Sequence, residues 1–199
     1  MNRLPASATQ SLALLKNVPL PAAFKTEGMP TLVKNLFLGQ LAFYGAYQLV
    51  SGPNKMKLKR YFTVSPESGL QGLATFHLCH TSAVPLLFNL TVLSTIGSHV
   101  CRTRGLSAFT TLLAMGCAGA SLAVAIDARS NHEQVQAGSI GASAALLAYQ
   151  AFKAPGYFSL FRFQPITYVG AMLAYSIYCN DKAALGGLAA GYAVFIMAL

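Results

Sequence analysis

Charge is what this chain has least of: Asp, Glu, Lys and Arg make up 10% of its 199 residues, and the acids number five. A soluble domain carries roughly a quarter of its residues as charged side chains, so an ordinary water-bathed surface is excluded. The apolar share of 54% and a mean hydropathy of +0.50 indicate an integral membrane protein instead. No Cys-x-x-Cys spacing links Cys79, Cys101, Cys117 and Cys179. All four fall in or beside apolar stretches, so they read as small buried hydrophobes rather than disulfides or metal ligands. No internal repeat with a period of roughly 20–50 residues and no low-complexity stretch is visible, which argues against a solenoid. The net charge of +9 comes with no soluble module able to read a nucleic-acid groove, so anionic lipid headgroups are the better partner for it.

What the chain does have is apolar runs of the right length. A helix needs about 20 largely apolar residues to cross roughly 30 Å of hydrocarbon. Six such stretches are expected, at about 31–50, 70–98, 105–126, 135–152, 165–179 and from 183 to the end. The expected fold is therefore all-α, a six-helix membrane bundle over 31–199. Lys34 sits near the start of the first stretch, where it can snorkel to the interface. Gly52-Pro53-Asn54 ends that helix, Ser65 or Ser68 could cap the next, and Pro165 suits a first helical turn. Ahead of the bundle, residues 1–30 hold Arg3, Lys16 and Lys25 among Ser, Ala and Leu, and the first acid is Glu27. That basic, acid-poor segment resembles a mitochondrial targeting sequence and is a candidate retained targeting or partner-binding stretch.

The fourth stretch is dense in small residues: Gly138, Ser139, Gly141, Ala142, Ser143, Ala144 and Ala145. The sixth repeats the pattern with Gly186, Gly187, Ala190 and Gly191. Missing side chains let backbones approach closely, so these two helices are an expected contacting pair. Lysines and arginines divide almost evenly between the two sides of a six-span bundle and leave its orientation open. Arg102, Arg104, Lys153 and Arg162 should emerge together on one side, either as ordinary loop charges or as ligands for a phospholipid headgroup such as cardiolipin.

Three motifs in order carry a family resemblance. His80-Thr81-Ser82-Ala83-Val84-Pro85-Leu86-Leu87-Phe88-Asn89 resembles the rhomboid signature of His, four residues, His, three residues, Asn, with Pro85 at the second histidine. Gly141-Ala142-Ser143-Ala144 resembles the rhomboid serine motif, and Ala184-Leu185-Gly186-Gly187 the helix that follows the catalytic histidine. The approach Arg60-Tyr61-Phe62-Thr63-Val64-Ser65-Pro66-Glu67-Ser68 is similar to that of mitochondrial presenilin-associated rhomboid-like proteases. The resemblance implies an intramembrane serine protease fold with Ser143 as nucleophile, position 184 as base, and positions 85 and 89 as oxyanion helpers. Alanine cannot accept a proton, and proline has neither a side-chain donor nor an amide hydrogen. Losing the base of a serine protease costs on the order of 10⁶ in turnover, and one oxyanion donor roughly 3–4 kcal/mol.

The expectation is thus a non-enzyme, a rhomboid-like pseudoprotease with vestigial positions Ser143, Ala184, Pro85 and Asn89. It would serve as a multi-pass accessory subunit of a mitochondrial inner-membrane assembly, an ATP synthase or respiratory complex. A protein translocase component and a residual protease with a displaced base are the alternatives. His77 and His80, three apart on the expected second helix, are the substitute bases to consider, though internally bonded histidines are the plainer reading. No cofactor is called for. A metal at His77 and His80 would need further ligands, and His99, His132 and the acids fall near other helix ends. Ser143 and Asn89 have packing roles as their plainer readings, and a transporter would call for more polar pairs within the spans.

Overall fold

The computed structural model describes residues 27–64, 69–80, 82–130, 140–155 and 165–197, and all their regular secondary structure is helical apart from an isolated bridge at Val64. The helices are α1 (Thr31–Leu49), α2 (Pro53–Phe62), α3 (Gly69–Thr75), α4 (Ala83–Val92), α5 (Ser98–Ser130), α6 (Ile140–Lys153), α7 (Pro165–Tyr178) and α8 (Lys182–Ile196). A turn of 3₁₀ helix, Phe76–Leu78, follows α3, and a π turn, Leu93–Gly97, joins α4 to α5. The all-α expectation agrees with this architecture.

The second apolar stretch departs from a single helix over 70–98. After the 3₁₀ turn the chain is extended at Cys79 (φ −104°, ψ 122°), and Ser82 is extended again at the N-cap of α4. Pro85 explains the break. It lacks an amide hydrogen and its ring clashes with the carbonyl four residues back, so an unkinked helix accommodates it only in the first turn, where the amides have no partners anyway. A helix holding Pro85 therefore starts close before it, at Ala83. His77 and His80 consequently do not share a helix. His77 lies on the 3₁₀ turn and His80 on the extended segment.

Length and composition mark Ala83–Asp127 as a membrane-crossing helix, with Ile166–Tyr178 and Lys182–Ile196 as shorter apolar helices. Its 45 residues would span about 68 Å at ~1.5 Å per residue, more than twice the hydrocarbon thickness. Gly105 divides it: at φ +88° and ψ 168° it occupies a region closed to side chains with a Cβ and interrupts α5. Within the π turn, Ser94 and Thr95 both donate hydroxyl hydrogens to the Thr91 carbonyl, at 3.0 and 2.6 Å, and Thr91 donates to Leu87. Such back-bonding competes with the helical ladder and bends it.

Helix α6 is the centre of the bundle, with every residue from Ile140 to Ala151 buried. The part of α5 after Gly105 and all of α8 pack on it, and glycines set the spacing. A Cβ on Gly116 would lie 2.7 Å from the Ala145 methyl and 2.9 Å from the Ala142 Cα. One on Gly119 would lie 2.6 Å from the Gly186 carbonyl oxygen, and one on Gly191 2.7 Å from the Ala145 Cα. Three backbones thus meet with no side chain between them. The pairings 116 with 145 and 120 with 141 make α5 and α6 antiparallel, while 187 with 141 and 191 with 145 make α6 and α8 parallel.

Candidate functional site

Ser143 is on the buried helix α6 with 2% of its surface exposed. Ala184 is fully buried in the first turn of α8, where Asp181 caps the helix by accepting a hydrogen bond from the Ala184 amide at 3.0 Å. Its methyl belongs to the same buried apolar cluster as Ile140, Ala144, Leu147 and Leu188. No proton acceptor is therefore supplied from position 184. On α4, Asn89 is fully buried and its Nδ2 lies 3.1 Å from His80 Nε2.

That last contact fixes a tautomer. Asn89 Nδ2 is a donor, so His80 Nε2 accepts and the ring proton resides on Nδ1. Nδ1 is buried without a hydrogen-bond partner among the described residues. His77 makes the opposite kind of bond. Ser121 Oγ on α5 donates to the Leu73 carbonyl at 2.9 Å, so it receives rather than gives a proton in its 2.9 Å contact with His77 Nε2. A general base needs its lone pair aimed at the nucleophile's hydrogen. His77 presents N–H to a serine, which makes the pair a clasp between the 3₁₀ turn and α5.

Pro85 lines an apolar cavity of about 400 Å³ together with Val84 and Phe88 of α4, Ile140 and Leu147 of α6, and Met172 of α7. Ser143 lies one turn from both Ile140 and Leu147 on α6. The positions of the serine and of the missing second histidine therefore border the same part of the bundle, between α4, α6 and α7. Its lining carries almost no polar surface.

A family model, the Rhomboid domain, matches residues 67–199. The chain belongs to the rhomboid family. It is accordingly a membrane-integral protein, and comparison with curated proteins returns no match. Within this rhomboid, Gly141, Gly186, Gly187 and Gly191 form the contact faces of α6 and α8, while Gly138 lies outside the described residues. The reading from sequence overlooked the third participant, the Gly116, Gly119, Ala120 and Ala123 face of α5. The run Gly116-Cys117-Ala118-Gly119-Ala120 held the same small-residue signal. It also overlooked Ser121, whose partners come from residues more than forty positions away.

Of the four basic residues, the Arg102 guanidinium donates to the Gly28 carbonyl and so ties the start of α1 to α5. Arg104 is exposed beside His99, Lys153 is half-buried at the end of α6, and Arg162 lies outside the described residues, as do Ser65 and Ser68. Chain order places the ends of the first part of α5 and of α6 at one end of the bundle. The four cysteines are free thiols; Cys79 is buried and Cys101 and Cys117 half-buried, but Cys179 is exposed, contrary to the expectation of burial. At the other end, Lys182 pairs with Asp127 at 3.9 Å, and burial raises the Asp181 carboxyl pKa despite the helix amides it accepts from.

Proposed function

We propose that this rhomboid-family protein is a pseudoprotease, a six-span accessory subunit of a large complex of the mitochondrial inner membrane, an ATP synthase or a respiratory complex. The observation that carries the reading is Ala184: a fully buried methyl, amide-capped by Asp181, at the position where the family implies a catalytic base. Neither histidine near the site supplies a substitute, since His77 bonds to Ser121 and His80 to Asn89. Pro85 removes a second group, so the two losses compound.

The six crossings of this reading are α1, α4 with the first part of α5, the second part of α5, α6, α7 and α8. Support for the mitochondrial assignment is the basic segment 1–30 and the similarity over 60–68. In that setting Arg102, Arg104, Lys153 and Arg162 are candidate contacts for cardiolipin at one membrane face. Purification from mitochondria in mild detergent, with identification of what accompanies the chain, tests the proposal. Stoichiometric subunits of an energy-converting complex support it, translocase subunits redirect it to protein import, and a lone monomer overturns it. Fluorophosphonate labelling that disappears in Ser143→Ala would show that the protein is a protease after all.

A further inference from the structure

We propose that α2 is an interfacial anchor that binds the anionic lipid headgroups of one membrane leaflet. Its ten residues, PNKMKLKRYF, include Lys55, Lys57, Lys59 and Arg60 and no acid. Gly52, at φ +61°, turns the chain out of the end of α1, and Pro53 opens the new helix. A ten-residue polar helix is too short to be stable by itself, so its order depends on what holds it. Three contacts do so. Lys55 Nζ sits 5.0 Å from the centre of the Tyr47 ring on α1, and Phe62 packs edge-on to Phe43 of α1 at 4.6 Å. Thr75 at the end of α3 donates to the Tyr61 carbonyl. The helix is thereby pinned along one side to α1 and α3.

Among the described residues, none packs against the outermost side chains of the opposite side. Met56 is 76% and Tyr61 54% exposed, and Lys57 is exposed between them in sequence. On a helical wheel Met56, Lys57 and Tyr61 lie within one outward arc, while Lys55, Leu58 and Phe62 face the pinned side. A thioether and a phenol flanking an ammonium on the free face of a basic helix match the headgroup region, where apolar ends dip toward the acyl chains and cations meet phosphate. Charge complementarity selects the occupant: a surface with cations and no acid favours anionic over zwitterionic lipid. The inference rests on membrane integration alone and not on the loss of catalysis.

The chain contains no tryptophan, so a single Met56→Trp substitution in the full-length protein is a reporter without background. The protein is reconstituted into vesicles of mixed phosphatidylglycerol and phosphatidylcholine, with bromine on the acyl chains of one lipid or the other at equal mole fraction. Brominated phosphatidylglycerol should quench the tryptophan at least about twofold more than brominated phosphatidylcholine, a preference abolished by Lys57→Glu on the free face, which leaves the Lys55 contact with Tyr47 in place. Water-exposed emission without quenching by either lipid overturns the proposal and leaves the face to an acidic protein partner or to solvent. Equal quenching by both lipids overturns the anionic selectivity. Tyr61→Trp, on the same face, repeats the measurement if the first variant does not fold.

Discussion

Replacing Gly187 with alanine should destabilise the bundle, whereas the same change at Gly170 should stabilise it. A Cβ at Gly187 would lie 2.6 Å from both the carbonyl carbon and the Cα of Gly141. Favourable carbon contacts lie at ~3.5–4.0 Å, so α6 and α8 must separate by about 1 Å. The obstacle is backbone and cannot rotate away. Because helices are stiff, that separation also loosens Gly191 against Ala145 one turn on. Overpacking of this kind costs about 1–3 kcal/mol; taking the upper end and subtracting the ~1 kcal/mol that alanine gains over glycine in a helix leaves about 2 kcal/mol. For a chain of this size that is a fall in Tm of roughly 4–8 °C. Gly170 is within α7 and has nothing within 4 Å of its missing Cβ, so Gly170→Ala keeps only the helical gain and should raise Tm by about 2–4 °C. In a background carrying Cys101→Ser and Cys179→Ser, buried Cys79 offers the assay, since a thiol-reactive fluorophore then reports its exposure on heating in detergent. Shifts of the same sign for the two variants would refute the backbone-contact account.

The remaining predictions concern single side chains. In a double-mutant cycle, His77→Ala and Ser121→Ala should couple by about 0.5–1.5 kcal/mol in thermal unfolding; additive effects would dissolve the clasp. Asn89→Ala leaves the buried acceptor of His80 without its donor and should cost about 1–3 kcal/mol, measured the same way, with Asn89→Leu no better than alanine. The raised Asp181 pKa means that the folded protein binds its proton more tightly than the unfolded chain does. This group's contribution to stability is therefore present below the ordinary carboxylate range and is lost as pH rises through that range toward the raised value. Asp181→Asn, which keeps an oxygen for the Ala184 amide, should flatten the part of the Tm profile that falls as pH rises through and above the ordinary carboxylate range, and an unchanged profile would assign the dependence to another group.

The sequence revealed helices wherever one crossing was one continuous apolar run. Predicted and observed limits agree to within one residue for both ends of α1 and α7 and for the start of α8, because Pro30, Gly52, Pro165 and Asp181 punctuate them with local chemistry. The second stretch was misread because hydropathy records burial and not backbone continuity. Pro85, which lacks a side-chain donor, also lacks the amide hydrogen that an unkinked helix through it needs. The small-residue faces on α6 and α8 were legible because their glycines cluster. The matching face on α5 was hidden within a longer apolar run, and the serine that holds His77 depends on tertiary contacts without a local pattern. Within the candidate site, residue identities alone show alanine at 184 and proline at 85, but the directions of the histidine bonds required geometry.

Alanine at position 184 also bears on how the bundle packs. Ala183, Ala184, Gly187, Leu188 and Gly191 all lie buried on α8, and the faces of 183, 187 and 191 meet backbone or methyl groups of α6. An imidazole at 184 has to be accommodated beside that contact and must find polar partners for both nitrogens. With alanine there, the small-residue face extends unbroken to the first turn of α8, and Asp181 closes the turn from the N-cap. Close helix contact in a membrane comes from backbone approach and dispersion rather than from expulsion of water. Alanine at this position therefore favours rigid packing of α8 against α6.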